Sequence, residues 1–157
     1  MTNIFNKVEL LKNLKIYFKE NAKLVFVFGH TGEDVFIVTK EDIVYTCGTN
    51  KYGMLGLGHN DRVEKLTKVN ELCNKGVIDF SCGFKHIITL TNEGKIYSCG
   101  NNALGQLGNG TLDDCFIFKI IKNFCSERVV TVSCGHRFVF IIADRKWKCI
   151  YFWRSRM

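Results

Sequence analysis

The chain has 157 residues and a hydrophobic fraction of 46%, which is enough apolar material for a core and argues against intrinsic disorder. It contains no run of about 18 consecutive apolar residues and no compact apolar stretch followed by small residues at its start, so we expect neither a membrane span nor a secretory signal. The net charge of +7 sits at the two ends, because residues 24–143 contain twelve basic and twelve acidic side chains; cationic ends without a cationic face argue against nucleic acid as a partner.

The first predicted element is an amphipathic helix over residues 4–20. Ile4, Val8, Leu11 and Phe18 share one face at helical spacing, and the lysines lie mainly elsewhere. Such a stripe can rest on a membrane surface, but packing against a neighbouring domain is its commoner use. We therefore expect the helix to pack on the first repeat unit and predict no membrane partner.

Two copies of one motif follow at a constant offset of 52 positions. The first copy occupies residues 44–58 and the second residues 96–110, and Ser81-Cys82-Gly83 likewise returns as Ser133-Cys134-Gly135. A fixed period near 50 residues is typical of stacked or radially arranged units. The predicted organisation is an N-terminal helix over 1–20, a first repeat over 21–72, a second over 73–124, and a truncated third repeat with an atypical tail over 125–157.

The second repeat shows the expected content of one unit. Its β-branched and aromatic runs predict four strands, with Asn92-Glu93-Gly94 as the turn between the second and third; the strands are residues 77–80, 86–90, 95–99 and 115–121. Four short strands per unit are typical of a propeller blade. The predicted fold is all-β, an incomplete β-propeller of about two and a half blades preceded by the N-terminal helix.

The recurring Gly-x-Leu-Gly-x-Gly element is interpreted as structural. Glycine tolerates positive φ and close backbone approach, and Leu55 and Leu107 are predicted to anchor their loops in the blade beneath. The element lacks the Gly-Lys-Ser/Thr ending of a phosphate-binding loop and the spacing of a dinucleotide fingerprint. No cofactor is therefore predicted.

The eight cysteines are predicted to be reduced. No Cys-x-x-Cys or finger-like Cys/His quartet is present, and six of the eight recur at the repeat offset. Repeat-equivalent positions usually lie beyond the reach of a disulfide. We expect thiols that pack as small apolar residues in a reducing compartment, the cytoplasm or the nucleus; Cys115 and Cys149 have no place in this pattern.

The chain resembles the repeat of the regulator of chromosome condensation family over about residues 24–143. The resemblance is carried by the motif Tyr-x-Cys-Gly-x-Asn-x-x-Gly-x-Leu-Gly-x-Gly and by a preceding Gly-x-x-His-x-x-x-Leu. The opening of the chain further resembles proteins, particularly arthropod ones, that join these repeats to a BTB domain. The resemblance implies a seven-bladed propeller. It also implies functions in nucleotide exchange on the GTPase Ran, in chromatin binding, or in partner recognition, including with cullin-type ubiquitin ligases through a BTB domain.

Departures from the family pattern shape the site predictions. Cys47 and Cys99 stand where the family often has Trp, and His86 has Asp34 and Phe138 as its repeat counterparts. An essential base would not vary in this way, so His86 is predicted to be a hydrogen-bonded packing residue. We predict no catalytic, cofactor-binding or metal-ligating residues.

The repeat pattern stops after Asp144. Two and a half blades cannot close a ring, and repeat arrays usually need three or more units. The sequence therefore suggests a fragment, a short isoform or an incomplete gene model of a longer propeller. Residues 145–157 are interpreted either as read-through sequence or as a terminal strand.

The leading functional hypothesis is a non-catalytic protein-interaction module that makes contacts through the loops at residues 49–62 and 101–114, since binding residues commonly lie on loops of a rigid scaffold. The alternative is a guanine-nucleotide exchange factor or chromatin-binding regulator for Ran, with a small GTPase as partner. A zinc-binding or hydrolytic enzyme ranks third, because no spacing specifies its residues.

Overall fold

The computed structural model describes the backbone of residues 16–30, 32–122, 128–136, 139–143 and 148–152, and side chains for residues 17–30, 32–122 and 128–136. A short helix, α1 (Ile16–Asn21), leads into the first strand. Most of the helix predicted over 4–20 lies outside the described residues. No helix in the described part of the chain combines the length and apolarity needed to cross a bilayer.

The first sheet is an antiparallel meander of four strands in the order β1-β2-β3-β4. The strands are β1 (Ala22–Phe28), β2 (Asp34–Thr39), β3 (Val44–Gly48) and β4 (Val63–Lys68). Every residue of β2 is buried, because this strand lies between two partners and both of its faces are covered. Phe18 of α1 packs on one of those faces and contacts Tyr45 with 5.1 Å between ring centroids.

The second sheet repeats the first, again as an antiparallel meander of four strands. Its strands are β5 (Val77–Cys82), β6 (His86–Thr91), β7 (Ile96–Gly100) and β8 (Cys115–Ile120). The four strands predicted for the second repeat are confirmed within one or two residues at their ends. The register also repeats at the same offset, since Val35 pairs with Cys47 and Ile87 pairs with Cys99.

The turns between the second and third strands of both sheets share one geometry. Asp42 N–H donates to the Thr39 carbonyl, and the equivalent Gly94 N–H donates to Thr91. Both residues have a positive φ, 60° for Asp42 and 76° for Gly94, a conformation that glycine and aspartate tolerate better than most residues. The Asp42 carboxylate also accepts the Gly76 N–H at 2.7 Å, which ties this turn to the segment entering the second sheet.

The third sheet contains three described strands in the order β11-β10-β9. They are β9 (Val129–Cys134), β10 (Val139–Ala143) and β11 (Lys148–Phe152). β11 pairs with β10 over five residues, from Val139 opposite Phe152 to Ala143 opposite Lys148. Residues 148–152 of the predicted tail thus form a strand.

The sheets pack face to face around aromatic and branched side chains. Between the first two sheets the rings of Phe28, Phe36 and Phe80 stack in sequence, and the centroids of Phe36 and Phe80 lie 4.6 Å apart. Between the second and third sheets the core consists of branched residues, namely Ile88, Leu90, Ile96, Ile121, Val129 and Val132. Burial of this kind stabilises a fold by about 25 cal/mol for each Å² of apolar surface removed from water.

Candidate functional site

Loops from all three sheets meet at one end of the molecule, here called the upper face. In an antiparallel meander, the loops that follow the first and third strands lie at the same end. The upper face therefore contains the loops after β1, β3, β5, β7 and β9. It includes both loops that the sequence predicted as contact surfaces, at residues 49–62 and 101–114.

A buried asparagine organises each of the two long loops. Asn50 Nδ2 donates to the carbonyls of His59 and Asp61 at 2.8 and 3.0 Å, and its Oδ1 accepts the Leu55 N–H at 3.0 Å. Asn102 makes the equivalent bonds in the second loop, with the Leu107 N–H donating to its Oδ1 at 2.9 Å. Each side chain thus supplies backbone groups with the partners that a loop otherwise lacks, and both loops are held in fixed shape.

The glycine motif locks the first of these loops onto the second sheet. Leu55 and Leu107 are fully buried, which confirms their predicted role as anchors, although Met54 is buried as well. Gly58 N–H donates to the Phe116 carbonyl of β8 at 2.8 Å. Cβ atoms at Gly53 and Gly56 would lie only 2.2 and 2.3 Å from the rings of Phe116 and Phe118. These glycines therefore permit close packing between sheets.

The carboxylate that caps each loop comes from a different strand in the two sheets. In the first sheet, Asn50 N–H donates to Asp34 at the start of β2, and Thr49 donates its hydroxyl proton to the same carboxylate. In the second sheet the residue equivalent to Asp34 is His86, at the start of β6. Asn102 N–H donates instead to Asp114, just before β8, at 2.8 Å. The position of Asp114 is occupied in the first repeat by Arg62. The equivalent N–H groups of Asn50 and Asn102 are thus both bonded to a carboxylate, but the two carboxylates come from different positions of the repeat.

Burial governs the protonation of Asp34. Loss of hydration raises the pKa of this carboxyl, and the bonds from Asn50 and Thr49 offset part of that rise. The carboxylate faces a cleft of about 300 Å³ between the first two sheets. Apolar atoms of Phe28, Met54 and Cys82 line the cleft, and Lys51 and Phe84 lie on its boundary.

Three planar side chains from three different sheets form a row across the upper face, here called the aromatic ladder. Tyr52 follows β3, Phe84 follows β5 and His136 follows β9; the centroids of Tyr52 and Phe84 lie 6.2 Å apart, and those of Phe84 and His136 4.3 Å apart. Phe84 N–H donates to the His136 carbonyl at 3.3 Å. Sequence reasoning missed this row, because its members belong to separate loops.

The described cysteines are small side chains of the interior, four of them buried and two, Cys82 and Cys134, half-buried. Six described cysteines are free thiols, and burial raises the pKa of Cys82 and Cys134 to about 12. Cys82 and Cys134, which are repeat equivalents, are both free thiols, and Cys134 Sγ donates to the carbonyl of Ser81, the neighbour of Cys82, at 3.2 Å. Cys115 is buried at the start of β8, and the side chain of Cys149 lies outside the described residues.

His86 is a packing residue of a different kind from the one predicted. It is 0% exposed, and neither ring nitrogen has a hydrogen-bond partner among the described residues. The expectation of a hydrogen-bonded histidine is therefore wrong. The ring occupies the space beside Gly83, where an added Cβ would lie 2.1 Å from His86 Cε1, and burial lowers the pKa of His86 to about 4.

This lowered pKa predicts acid sensitivity. The unfolded chain binds a proton near the usual pKa of 6.5 and the folded protein only near 4, so stability falls as the pH drops through that interval, by an amount on the order of 1–3 kcal/mol. His86→Phe, which copies the residue of the third repeat, is expected to remove this loss. Urea denaturation at about pH 7 and about pH 4.5 measures it. An unchanged pH dependence would contradict the assignment, and exposed His59→Ala serves as the control.

No metal site is visible in the described part of the chain, where no three His, Cys, Asp or Glu side chains converge. The upper face nevertheless has features of a binding surface, with rigid loops, a cleft and exposed aromatic rings.

Comparison with known proteins identifies the repeat. The model of the regulator of chromosome condensation (RCC1) repeat matches residues 41–90 and 93–142. The X-linked retinitis pigmentosa GTPase regulator of Canis lupus familiaris is 33% identical over 128 residues, which are 80% of this chain and 13% of that protein. The secretion-regulating guanine nucleotide exchange factor of Mus musculus is 38% identical over 111 residues, which are 69% of this chain and 23% of that protein.

A solved structure gives the same fold. The chain resembles yeast RCC1 (Prp20), solved bound to Kap60, with a TM-score of 0.66 and 18% identity over 78% of this chain and 30% of that one. At this identity the likeness shows the propeller fold alone. The chain thus spans less than a third of each of these three proteins.

Proposed function

Because the chain belongs to the regulator of chromosome condensation repeat family, we propose that it is a non-catalytic module that binds partner proteins through its upper face. The observation that carries this proposal is the aromatic ladder beside two loops held by buried asparagines. Rigid loops lose little conformational entropy on binding, so more of the contact energy appears as affinity.

The proposal includes the organisation of the chain. We assign residues 1–20 to an N-terminal helix, 21–72 and 73–124 to two blades, and 125–157 to part of a third, which makes an incomplete propeller of about two and a half blades. In a longer protein that also carries a BTB domain, such a propeller would act as the substrate-binding part of a ubiquitin-ligase adaptor. Support for the BTB association comes from the sequence resemblance at the start of the chain.

Photo-crosslinking from the two ends of the molecule tests the proposal. A crosslinking amino acid replaces Thr111 on the upper face or Lys75 at the opposite end; both positions are exposed. Exposure to light in a cell extract is expected to give discrete protein adducts from Thr111 and none of comparable yield from Lys75. Equal adducts from both positions, or none from Thr111, would contradict binding through the upper face.

The alternative, nucleotide exchange on a small GTPase, draws support from the names of two relatives, a GTPase regulator and a guanine nucleotide exchange factor. Release of a fluorescent guanine nucleotide from Ran separates the two functions. The interaction-module proposal predicts a rate within about twofold of the intrinsic one. Acceleration of about tenfold or more, an amount that requires at least 1.4 kcal/mol of transition-state stabilisation, would favour the alternative.

A further inference from the structure

Phe84 is the most exposed of the large hydrophobic side chains in the described part of the chain. This side chain is 53% exposed, although it lies in a short hairpin loop whose neighbours are well ordered by hydrogen bonds. The repeat scaffold does not require an aromatic residue there, since the equivalent position in the first repeat is Gly32. A single exposed apolar residue needs no explanation, but Phe84 stacks on His136 and lies beside the tilted ring of Tyr52.

Two lysines are held over this row of rings. Lys85 Nζ lies 4.7 Å from the centroid of Tyr52 and 5.4 Å from that of Phe84, and Lys51 Nζ lies 5.5 Å from that of Tyr52. Neither ammonium group forms an ion pair within the described ranges. Cation–π attraction fixes the position of an ammonium group without using up its hydrogen-bond donors, so both groups can still donate to an anion.

The adjoining cleft adds an apolar pocket next to these cations. Its volume of about 300 Å³ is that of a small ligand site, and Phe28, Met54 and Cys82 contribute apolar atoms to it. The Asp34 carboxylate on its wall already accepts bonds from Thr49 and Asn50. A carboxylate deep in the cleft would be repelled by Asp34 and Glu33, which also lines it. Acidic groups of a ligand therefore belong at the rim, over Lys51 and Lys85.

We propose that the aromatic ladder and the cleft bind an extended acidic peptide segment of a partner protein, in which a large apolar side chain is flanked by carboxylates. The apolar side chain enters the cleft between Tyr52 and Phe84, and the flanking carboxylates accept hydrogen bonds from Lys51 and Lys85. This inference rests on the proposed interaction function and specifies the chemistry of its partner. The charge of the two lysines and the apolar lining of the cleft together favour this occupant.

Fluorescence polarisation with designed peptides tests the inference on the full chain. The probe is a fluorescein-labelled peptide with a central Asp-Glu-Phe-Asp-Glu sequence; the comparison probes replace the phenylalanine with glycine, replace the acids with lysines, or consist of a single-stranded oligonucleotide. We expect saturable binding of the first probe only. Added salt should weaken it, because the contacts are exposed ion pairs.

Variants locate the binding. Phe84→Ala and the double variant K51A/K85A are each expected to weaken binding of the acidic probe by about tenfold, as for a central aromatic contact or a pair of charge contacts. K40A/K75A, which removes two exposed lysines from the opposite end, is the matched control and should change the affinity by less than about twofold. Circular dichroism and thermal melts establish that each variant is folded.

Several results would overturn the inference. They are the absence of binding to the acidic probe, wild-type affinity for that probe in F84A or in K51A/K85A, a preference for the lysine probe, and tighter binding of the oligonucleotide, which would make the surface a nucleic-acid site. None of these results depends on Ran nucleotide release or on the crosslinks from Thr111. If the peptide fails to bind while Thr111 still yields adducts, the inference fails and the proposed function stands.

Discussion

Replacing Asn50 with alanine is expected to destabilise the protein by roughly 3–5 kcal/mol. The side chain is completely buried and makes three hydrogen bonds to the backbone of its loop, and its removal leaves the buried Leu55 N–H and two partly buried carbonyls without these partners at about 1 kcal/mol or more each. Alanine also tolerates the observed φ of 55° poorly, which adds roughly 1–2 kcal/mol. Urea denaturation with linear extrapolation measures the change.

Asn102 offers a matched comparison for this prediction. It is equally buried and makes the equivalent bonds to Leu107 and Thr111, but it is not among the residues with positive φ. We expect Asn102→Ala to cost roughly 1–2 kcal/mol less than Asn50→Ala, because both side chains accept the same buried leucine N–H but only Asn50 has the positive φ that alanine tolerates poorly. A loss below about 1 kcal/mol for Asn50→Ala, or a larger loss for Asn102→Ala, would contradict this account of the loops.

The second large effect is expected at Gly53. Alanine at this position must adopt a φ of 66° and would place its Cβ 2.2 Å from Phe116 Cδ1 and 2.9 Å from Phe116 Cβ. The ring cannot move away freely, because its own backbone is paired with the loop through Gly58. We expect a loss of roughly 2–5 kcal/mol, the sum of the strained backbone and the displaced ring.

Gly105, the repeat equivalent of Gly53, separates these two causes. Its φ of 76° is similar, but an added Cβ would meet only Leu112 at 3.7 Å, an ordinary contact. Gly105→Ala should therefore cost only the backbone term, roughly 1–2 kcal/mol. In a Phe116→Ala background, Gly53→Ala should cost less than in the wild-type background, because the ring atoms are gone and only the contact with the Cβ of residue 116 at 2.9 Å remains. If the two glycine variants were equally destabilised in the wild-type background, the close packing of the loop on β8 would be refuted.

The sequence predicted the regular part of the fold because the relevant signals are local. Alternating apolar residues and the turn at Asn92-Glu93-Gly94 specify the strands of the second sheet without knowledge of their neighbours. The glycine motif likewise implied positive φ, and it is observed at Gly53, Gly105 and their companions. A constant offset then extends the assignment from one sheet to the next.

The upper face was not predictable because its features are tertiary. The rings of Tyr52, Phe84 and His136 come from loops that are far apart in the chain, and only folding brings them together. One signal was available: Phe84 stands where the first repeat has Gly32, so the scaffold does not account for it. The prediction that His86 is hydrogen-bonded was wrong for a related reason. Buried polar groups are usually paired, and the lack of a partner for this ring among the described residues can be seen only in the folded structure.

The relocated loop cap shows how repeats diverge without losing their shape. His86 replaces Asp34 in the second repeat, and Asp114 replaces Arg62, so each loop retains one carboxylate for the same backbone N–H. The replacement of Asp34 by His86 without the replacement of Arg62 by Asp114 would leave the loop N–H without a carboxylate acceptor, which would lower stability by about 1–3 kcal/mol. The conserved requirement is the hydrogen bond, and the strand that supplies its acceptor is free to change.

The central structural claim is that the glycine loop of the first sheet docks on β8, the outer strand of the second sheet. Native-state hydrogen exchange of two equivalent amides tests it most directly. Gly58 N–H is bonded to Phe116, whereas around Gly110 no described residue lies within 4 Å of where a Cβ would be. The account predicts slow exchange at Gly58 and fast exchange at Gly110; equally fast exchange at both would contradict it.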